Sequence, residues 1–362
     1  MKILSIGYNS VDAGGPYNVA ENYKNILQKN NFVVDTNNFQ LNKIIKNIFF
    51  NRKELIEYLN SYDLVHFHNL FSLSNVFISS LLYQIHIPYI ISLHGNLNYW
   101  SLKQSKLRKK IFLYLFSSFI KNSRGIHILN DHEKTEVSKI INIKNSRLFK
   151  LQNCIDVPKY KINKTKKKIF TVLFFGRLNY KKGVFRLLDI IKKIDNDNIK
   201  NIKFLFVGPK DLEIFDKFKN KMKNLQIEKI IEIRDIVKNL EEKKKVFRES
   251  DVFILPSEDE ADSVAVKEAL SSGLPVIISK NCKFDYNGDD KDFLKIIQNN
   301  DLNEYCQAIK NFYLNNEIIN DFSEAAHSFA ADNFSLSRIE EVLPQIYYDC
   351  LTYSFESENW YK

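Results

Sequence analysis

The chain has 362 residues, 44% hydrophobic and 27% charged, which excludes a disordered polar chain and points to two ordinary domains rather than one. A formal net charge of +10 suits an anionic partner (nucleotide, phospholipid or nucleic acid) or reflects only a well-solvated Lys-rich surface. The four cysteines, Cys154, Cys282, Cys306 and Cys350, lie far apart without C-x-x-C spacing; that argues against a structural zinc site or a disulfide framework and fits a reducing, cytoplasmic compartment.

Taken in chain order, short apolar β runs alternate with amphipathic helical stretches, the pattern of a parallel sheet wrapped by helices. The opening run Lys2–Gly7 is too short for a signal peptide, and no run reaches the length of a membrane-spanning helix. Further strand candidates in the first half are Phe32–Thr36, Leu64–His68, Tyr89–Leu93, Ile126–Leu129 and Arg147–Leu151, with helical patterns near Tyr17–Gln28, Ser72–Gln84, Lys103–Ile120 and Glu133–Ile140. Tyr160–Lys168 is polar and strongly basic and reads as a linker. A second series follows, with strands at Ile169–Phe175, Lys203–Val207, Lys229–Ile233, Val252–Leu255 and Pro275–Ser279. Its helical patterns fall near Val184–Ile194, Leu212–Lys223, Leu240–Arg248, Val264–Ser271, Leu302–Leu314, Glu317–Ala330 and Leu336–Leu351. The fold class is therefore α/β: two Rossmann-like domains, 1–158 and 159–335, with the loops at the carboxyl ends of their strands facing across a cleft.

Three loops carry candidate chemistry. Asp12–Pro16 holds the pair Gly14 and Gly15 after a strand and before a helix, where free amides attract an anion, although an ordinary tight turn gives the same pattern. The full G-x-G-x-x-G fingerprint of a dinucleotide enzyme is absent. Gly176-Arg177-Leu178-Asn179-Tyr180-Lys181-Lys182-Gly183 leaves a strand and opens a helix. Arg177 and Lys182 can reach forward to neutralise a diphosphate, or the turn is simply charged and solvated. Pro256–Ile277 runs from a strand through an acidic loop into a helix capped by Asp262 or Ser263 and ended at Gly273. Glu260 in the loop and Glu268 on the helix can address one extended ligand, with a phosphate at the helix N-terminus.

These stretches resemble the large retaining glycosyltransferase family 4, of GT-B fold. The acidic stretch matches its E-x7-E signature, Gly176–Gly183 its G-R-L-x-x-x-K-G, and Gly14-Gly15 its N-terminal glycine loop; Phe206–Pro209 and Ala269–Ile277 fit as well. The resemblance runs in order along nearly the whole chain. It implies that Arg177 and Lys182 bind the donor diphosphate, Glu268 the ribose and Glu260 the transferred sugar. The amides of Ser263 and Val264 would meet phosphate, and Ile236 would lie against the base. His94, at a strand's carboxyl end, resembles the family's cleft histidine, or else is a structural one; His66 and His68 suit core or supporting roles. The donor would be a UDP- or GDP-sugar and the acceptor a glycan or a lipid-linked glycan of bacterial surface polysaccharide. No metal, other cofactor or nucleic acid would take part. The last helix, 336–362, would return to the first domain.

Two positions depart from the family: Ala261-Asp262-Ser263 replaces Gly-Phe-Gly after the first Glu, and Asn153-Cys154 replaces Asn-Gly. Asp195-Asn196-Asp197 looks like a D-x-D metal motif but sits in a turn rich in these residues. In Lys103–Ile120 a basic start precedes "IFLYLFSSFI", with Leu107, Ile111, Leu115 and Phe119 in one row. That is either a buried helix or one resting on an anionic membrane surface, which would make the enzyme peripheral to the inner face of the cell membrane. The rival functions are a nucleotide-sugar epimerase of the same fold, a nucleic-acid-binding protein, suggested only by the charge and without a recognisable binding module, and a non-catalytic nucleotide-sugar-binding protein.

Overall fold

The computed structural model describes residues 1–7, 15–36, 52–103, 106–140, 148–158, 168–237, 239–284, 292–315 and 318–352. The chain forms two compact units, residues 1–154 with 336–362 and residues 155–335. In the first, β1 (Lys2–Ile6), β2 (Val33–Asp35), β3 (Leu64–Phe67), β4 (Tyr89–Ser92), β5 (Gly125–Ile128) and β6 (Leu148–Lys150) make a parallel sheet in the order β2-β1-β3-β4-β5-β6. In the second, β7 (Phe170–Phe175), β8 (Ile202–Val207), β9 (Ile231–Arg234), β10 (Val252–Leu255), β11 (Val276–Ser279) and β12 (Leu294–Ile297) lie in the order β12-β11-β10-β7-β8-β9, again all parallel.

Helices cover the central strands on both faces, so these strands are continuous apolar runs rather than alternating ones. Phe253, Ile254 and Leu255 are all fully buried, as are Val65, Phe67, Ile90 and Ile91. The helix Val184–Asn196 turns Leu187, Leu188, Ile191 and Ile194 into the second core. The strand order reverses between β1 and β3 in one sheet and between β7 and β10 in the other. At such a switch point two loops diverge to opposite faces and leave a crevice at the strands' carboxyl ends.

All eleven strand candidates form, within two residues at each end. The twelfth strand, Leu294–Ile297, was not legible: it is a short edge strand just after a charged run. The helix Arg52–Leu59 is likewise an addition. Lys103–Ile120 is not one helix but three, Tyr99–Lys103, Lys106–Leu115 and Ser117–Lys121. The break at Phe116 turns Phe119 and Ile120 into the core, where Phe119 meets Phe67 edge-on at 5.4 Å between ring centroids. Leu336–Leu351 starts as a 3-10 turn, Leu336–Arg338, and becomes helical at Val342–Thr352, with Pro344 in the first turn, where its missing N–H costs no helical hydrogen bond. Among the described residues no helix is long and apolar enough to cross a membrane.

Candidate active site

At the switch point of the second sheet, the loops after β7 and β10 are joined backbone to backbone. Gly183 has φ 72°, in the left-handed region, and lies so close to the Pro256 carbonyl that a Cβ there would fall 1.9 Å from its oxygen. Only glycine fits both requirements. The Lys181 carbonyl accepts the Glu258 N–H at 2.8 Å, and the Ser257 hydroxyl lies 2.7 Å from the same oxygen. The Asn179 side chain accepts the Lys182 N–H and caps the tight turn that sends Lys182 forward.

Around this joint every acid of the Glu258–Glu268 stretch meets a cation. Glu258 pairs with Arg186 at 2.5 Å, Asp262 with Lys267 at 2.6 Å and Glu268 with Lys243 at 2.5 Å. Asp259 is flanked by Lys283 at 2.7 Å and Lys181 at 3.3 Å. Glu260 is buried and binds Lys182 at 2.8 Å, with the Ser257 hydroxyl also 2.8 Å from the same carboxylate oxygen. Such pairing is what lets these charges sit out of water; Lys267, at 1% exposure, is the extreme case. Arg177 differs: it is exposed and makes no hydrogen bond or ion pair with another described residue. Cys282 lies beside Glu260 and Lys182. Burial, with the Glu260 charge adding, pushes its thiol up to about 12, so it is a packing residue and not a nucleophile.

The helix Val264–Ser271 starts where sequence placed it and ends at Gly273, φ 70°, with Leu274 N–H returning to the Ala269 carbonyl. Its cap is not as expected. Ser263 occupies the N-cap position, but its hydroxyl makes no capping bond and is buried with no hydrogen-bond partner among the described residues. Asp262 is turned instead to Lys267. An uncapped helix start with an idle hydroxyl offers donors to an incoming anion. Val264 is half-buried against the core at that start, and Ile236 is half-buried in the loop after β9.

In the first unit, four histidines and two serines gather toward the carboxyl ends of β1, β3, β4 and β5. His127 Nε2 lies 2.6 Å from the Leu151 carbonyl, which can only accept, so this nitrogen carries the proton. With the imidazoles neutral, the rest follows. Ser92 Oγ donates to His127 Nδ1 (2.8 Å), His66 Nε2 donates to Ser92 Oγ (2.7 Å), and Tyr347 Oη donates to His66 Nδ1 (2.6 Å). His68 bridges Ser5 Oγ (3.0 Å) and His94 Nε2 (3.2 Å), and its ring lies tilted against the His66 ring, 3.9 Å between centroids. Burial and the neighbouring imidazoles hold His66 and His94 well below the ordinary histidine range and bring His68 to about 3. His94 stands in the left-handed region, φ 46°. The turn it forms is clamped by the buried Glu133 carboxylate, which accepts the N–H groups of Gly95 and Leu129, each at 2.7 Å.

The structure thus brings Lys182 to Glu260 and sets Ser263, Val264 and Glu268 on the same loop and helix. His94 belongs to the first unit. Gly14 lies outside the described residues, as does most of the basic linker, and Gly15 opens the helix Gly15–Lys29. Asp195 and Asp197 pair with Lys192 and Lys310. Sequence reasoning did not find Arg186, Lys243, Lys267 and Lys283 as partners of the acidic loop, nor Tyr347, Ser92 and His127 as partners of the histidines. Most of these contacts span tens to hundreds of residues, and no local pattern announces them.

Residues 15–159 match the family model described as Glycosyltransferase Family 4, and residues 157–329 the one described as Glycosyl transferases group 1. The chain belongs to this group: it is a glycosyltransferase of the GT-B type. It is 23% identical, over 80% of its length and 76% of the relative's, to an Escherichia coli UDP-Gal:alpha-D-GlcNAc-diphosphoundecaprenol alpha-1,3-galactosyltransferase. It is 22% identical, over 80% and 79%, to an uncharacterized 41.2 kDa protein in the cps region of Klebsiella pneumoniae. Among solved structures, Anabaena HepE in complex with UDP and glucose covers 96% of this chain and 99% of its own at TM-score 0.74 and 12% identity. The lipopolysaccharide outer core galactosyltransferase WaaB covers 97% and 99% at TM-score 0.65 and 14% identity.

Proposed function

We propose that the protein transfers a sugar from a UDP-sugar to a glycan or lipid-linked acceptor in the assembly of a bacterial surface polysaccharide, with retention of the donor's anomeric configuration. The observation that carries this reading is charge. Glu258, Asp259, Glu260, Asp262 and Glu268 are matched by Lys181, Lys182, Arg186, Lys243, Lys267 and Lys283, with Arg177 in addition. Seven cations against five carboxylates leave an excess of two positive charges where the strands of the second sheet end, suited to a nucleoside diphosphate. On this reading the second domain, 159–335, holds the donor and the first receives the acceptor. UDP is favoured over GDP because HepE is solved with UDP and UDP-glucose and the E. coli relative is named for UDP-Gal. That relative's diphosphoundecaprenol acceptor favours a lipid-linked one here, which brings the enzyme to the cytoplasmic face of a membrane.

As the sugar–phosphate bond breaks, negative charge grows on the diphosphate and positive charge on the ring. Arg177, Lys182, the amides of Ser263 and Val264 and the Ser263 hydroxyl stabilise the leaving group, so the chain itself supplies the counter-charge and no metal is needed. Ile236 lies against the base and Glu268 accepts from the ribose hydroxyls. Glu260 holds the sugar hydroxyls, and a diphosphate oxygen takes the acceptor's proton on the face that the leaving group vacates. His94, neutral at cytoplasmic pH, offers a hydrogen bond to a sugar hydroxyl and not a proton for transfer.

The test is a melting series with UDP, GDP and ADP, followed by transfer from the matching sugar. Nucleotide at one hundred times its dissociation constant stabilises by about 2.7 kcal/mol. Stabilisation by UDP alone, and transfer that falls roughly 100- to 1,000-fold in Arg177→Ala at an unchanged melting point, are the expected results. Near-normal transfer by Arg177→Ala overturns the site; UDP binding with no transfer to any acceptor leaves a non-catalytic nucleotide-sugar-binding protein.

A further inference from the structure

The helix Lys106–Leu115 in the first unit contributes no buried residue, alone in this among the described helices of eight residues or more. Yet it is not polar. Leu107, Ile111, Tyr114 and Leu115 are 71%, 48%, 84% and 60% exposed. At about 100° per residue they share one outward stripe. Arg108 borders one edge of that stripe, and Lys106 and Lys110 the other. The opposite side faces the protein: Phe112 meets Phe71 at 5.4 Å, Leu113 packs against the core, and Lys109 bonds to the Ser101 carbonyl and spans the Phe71 ring. The helix is therefore fixed to the unit along one side, and its apolar stripe is presented outward. Phe71 leads directly into the helix Leu73–Gln84, where Leu73 and Phe77 are exposed as well.

Among the described residues, the cations around this stripe have no counter-charge. Lys103, Lys106, Arg108 and Lys110 are exposed and make no hydrogen bond or ion pair with a described residue. Nor could an acid lie nearby in sequence: between Asp63 and Asp131 the chain has no Asp or Glu at all. The second unit is the opposite, with its surface lysines interleaved with carboxylates, as at Lys217–Glu213, Lys219–Asp216 and Lys244–Glu241.

We propose that this face, the outer stripe of helix 106–115 with its bordering cations, seats the enzyme on a bilayer containing anionic lipid. Charge complementarity selects the occupant. A row of Leu, Ile, Tyr and Leu flanked on both sides by cations with no partner among the described residues fits the boundary between acyl chains and phosphate headgroups, with the apolar row entering and the cations at phosphate level. The proposal deepens the lipid-linked acceptor reading and rests on it for its purpose. Binding itself requires neither donor nor acceptor, so the two fail separately.

The experiment floats the full chain with vesicles of phosphatidylcholine alone and with vesicles that contain an equal part of phosphatidylglycerol, at low and high salt. UDP-induced stabilisation is measured on the same preparations. Flotation with the anionic vesicles only, weakened by salt, is expected. Lys106→Gln, Arg108→Gln and Lys110→Gln together should weaken it, each removed cation by roughly five-fold. Leu107→Ser with Ile111→Ser should abolish it, and because all five side chains are exposed, melting temperature and UDP stabilisation stay as in the parent chain. No flotation with anionic vesicles, equal flotation with both kinds, or flotation indifferent to these substitutions overturns the membrane face even if UDP still binds. A dimer in solution that the two serine substitutions dissolve assigns the stripe to a second copy of the chain and overturns it as well. Flotation without UDP stabilisation leaves this surface standing and removes the donor reading instead.

Discussion

The two sheets share a plan: six parallel strands, one reversal of order, and a crevice where the reversal occurs. What the strands deliver to that crevice differs. The first sheet ends in neutral groups, a chain of imidazoles and hydroxyls whose protons are ordered by the Leu151 carbonyl at one end and the Tyr347 hydroxyl at the other. The second ends in full charges, paired carboxylate by cation around Glu258–Glu268. The shared backbone sets where loops converge, and the residue types decide what converges there. On the proposed function, the neutral end would meet sugar hydroxyls and the charged end a leaving diphosphate.

The contrast can be broken from either side. The largest effect is expected in the second unit. Lys267→Ala leaves the buried Asp262 carboxylate without its lysine and should cost about 3–5 kcal/mol, read as a lower melting point of that unit. Replacing both partners by apolar residues, Asp262→Leu with Lys267→Met, should recover most of it. A double variant no more stable than Lys267→Ala alone would mean that the pair is not what holds the helix start in place.

Acid should act on the other unit. The folded histidines 66, 68 and 94 are held below their unfolded values, so below pH 6.5 the unfolded chain binds more protons. Their stabilising contribution is therefore complete above about pH 6.5 and is lost as pH falls toward 3. For His68 alone, moving from pH 7 to pH 5 should remove about 2 kcal/mol. Hydrogen exchange at the two pH values should show residues 1–154 opening first, with 155–335 little changed. Equal loss in both units would contradict the neutral reading of the histidine chain. The smallest effect is that of Tyr347→Phe, which leaves His66 Nδ1 without its donor. It should cost the first unit about 1–2 kcal/mol and leave UDP stabilisation untouched.

Legibility in the sequence divided along another line, between local and long-range features. Gly183, Gly273 and the E-x7-E spacing are local devices, each required by a turn or a helix end, and they stood where the sequence implied. The strands read well because central parallel strands are unbroken apolar runs, whereas the edge strand Leu294–Ile297 has no such run to mark it. The pairings were hidden because Lys182 meets Glu260 across 78 residues and His66 meets Tyr347 across 281. The helix break at Phe116 was hidden too, since it answers to a core that exists only once Phe67 and Phe119 have met.

The joint at Gly183 and the Pro256 carbonyl has a consequence for how such an enzyme can diversify. With no room for even one methyl group between them, any side chain at position 183 would push the two loops apart, so the backbone of one loop is set by the other. On the proposed function, a change in the base or sugar accepted would come from side chains standing on that joint, or from the separate loop that carries Ile236.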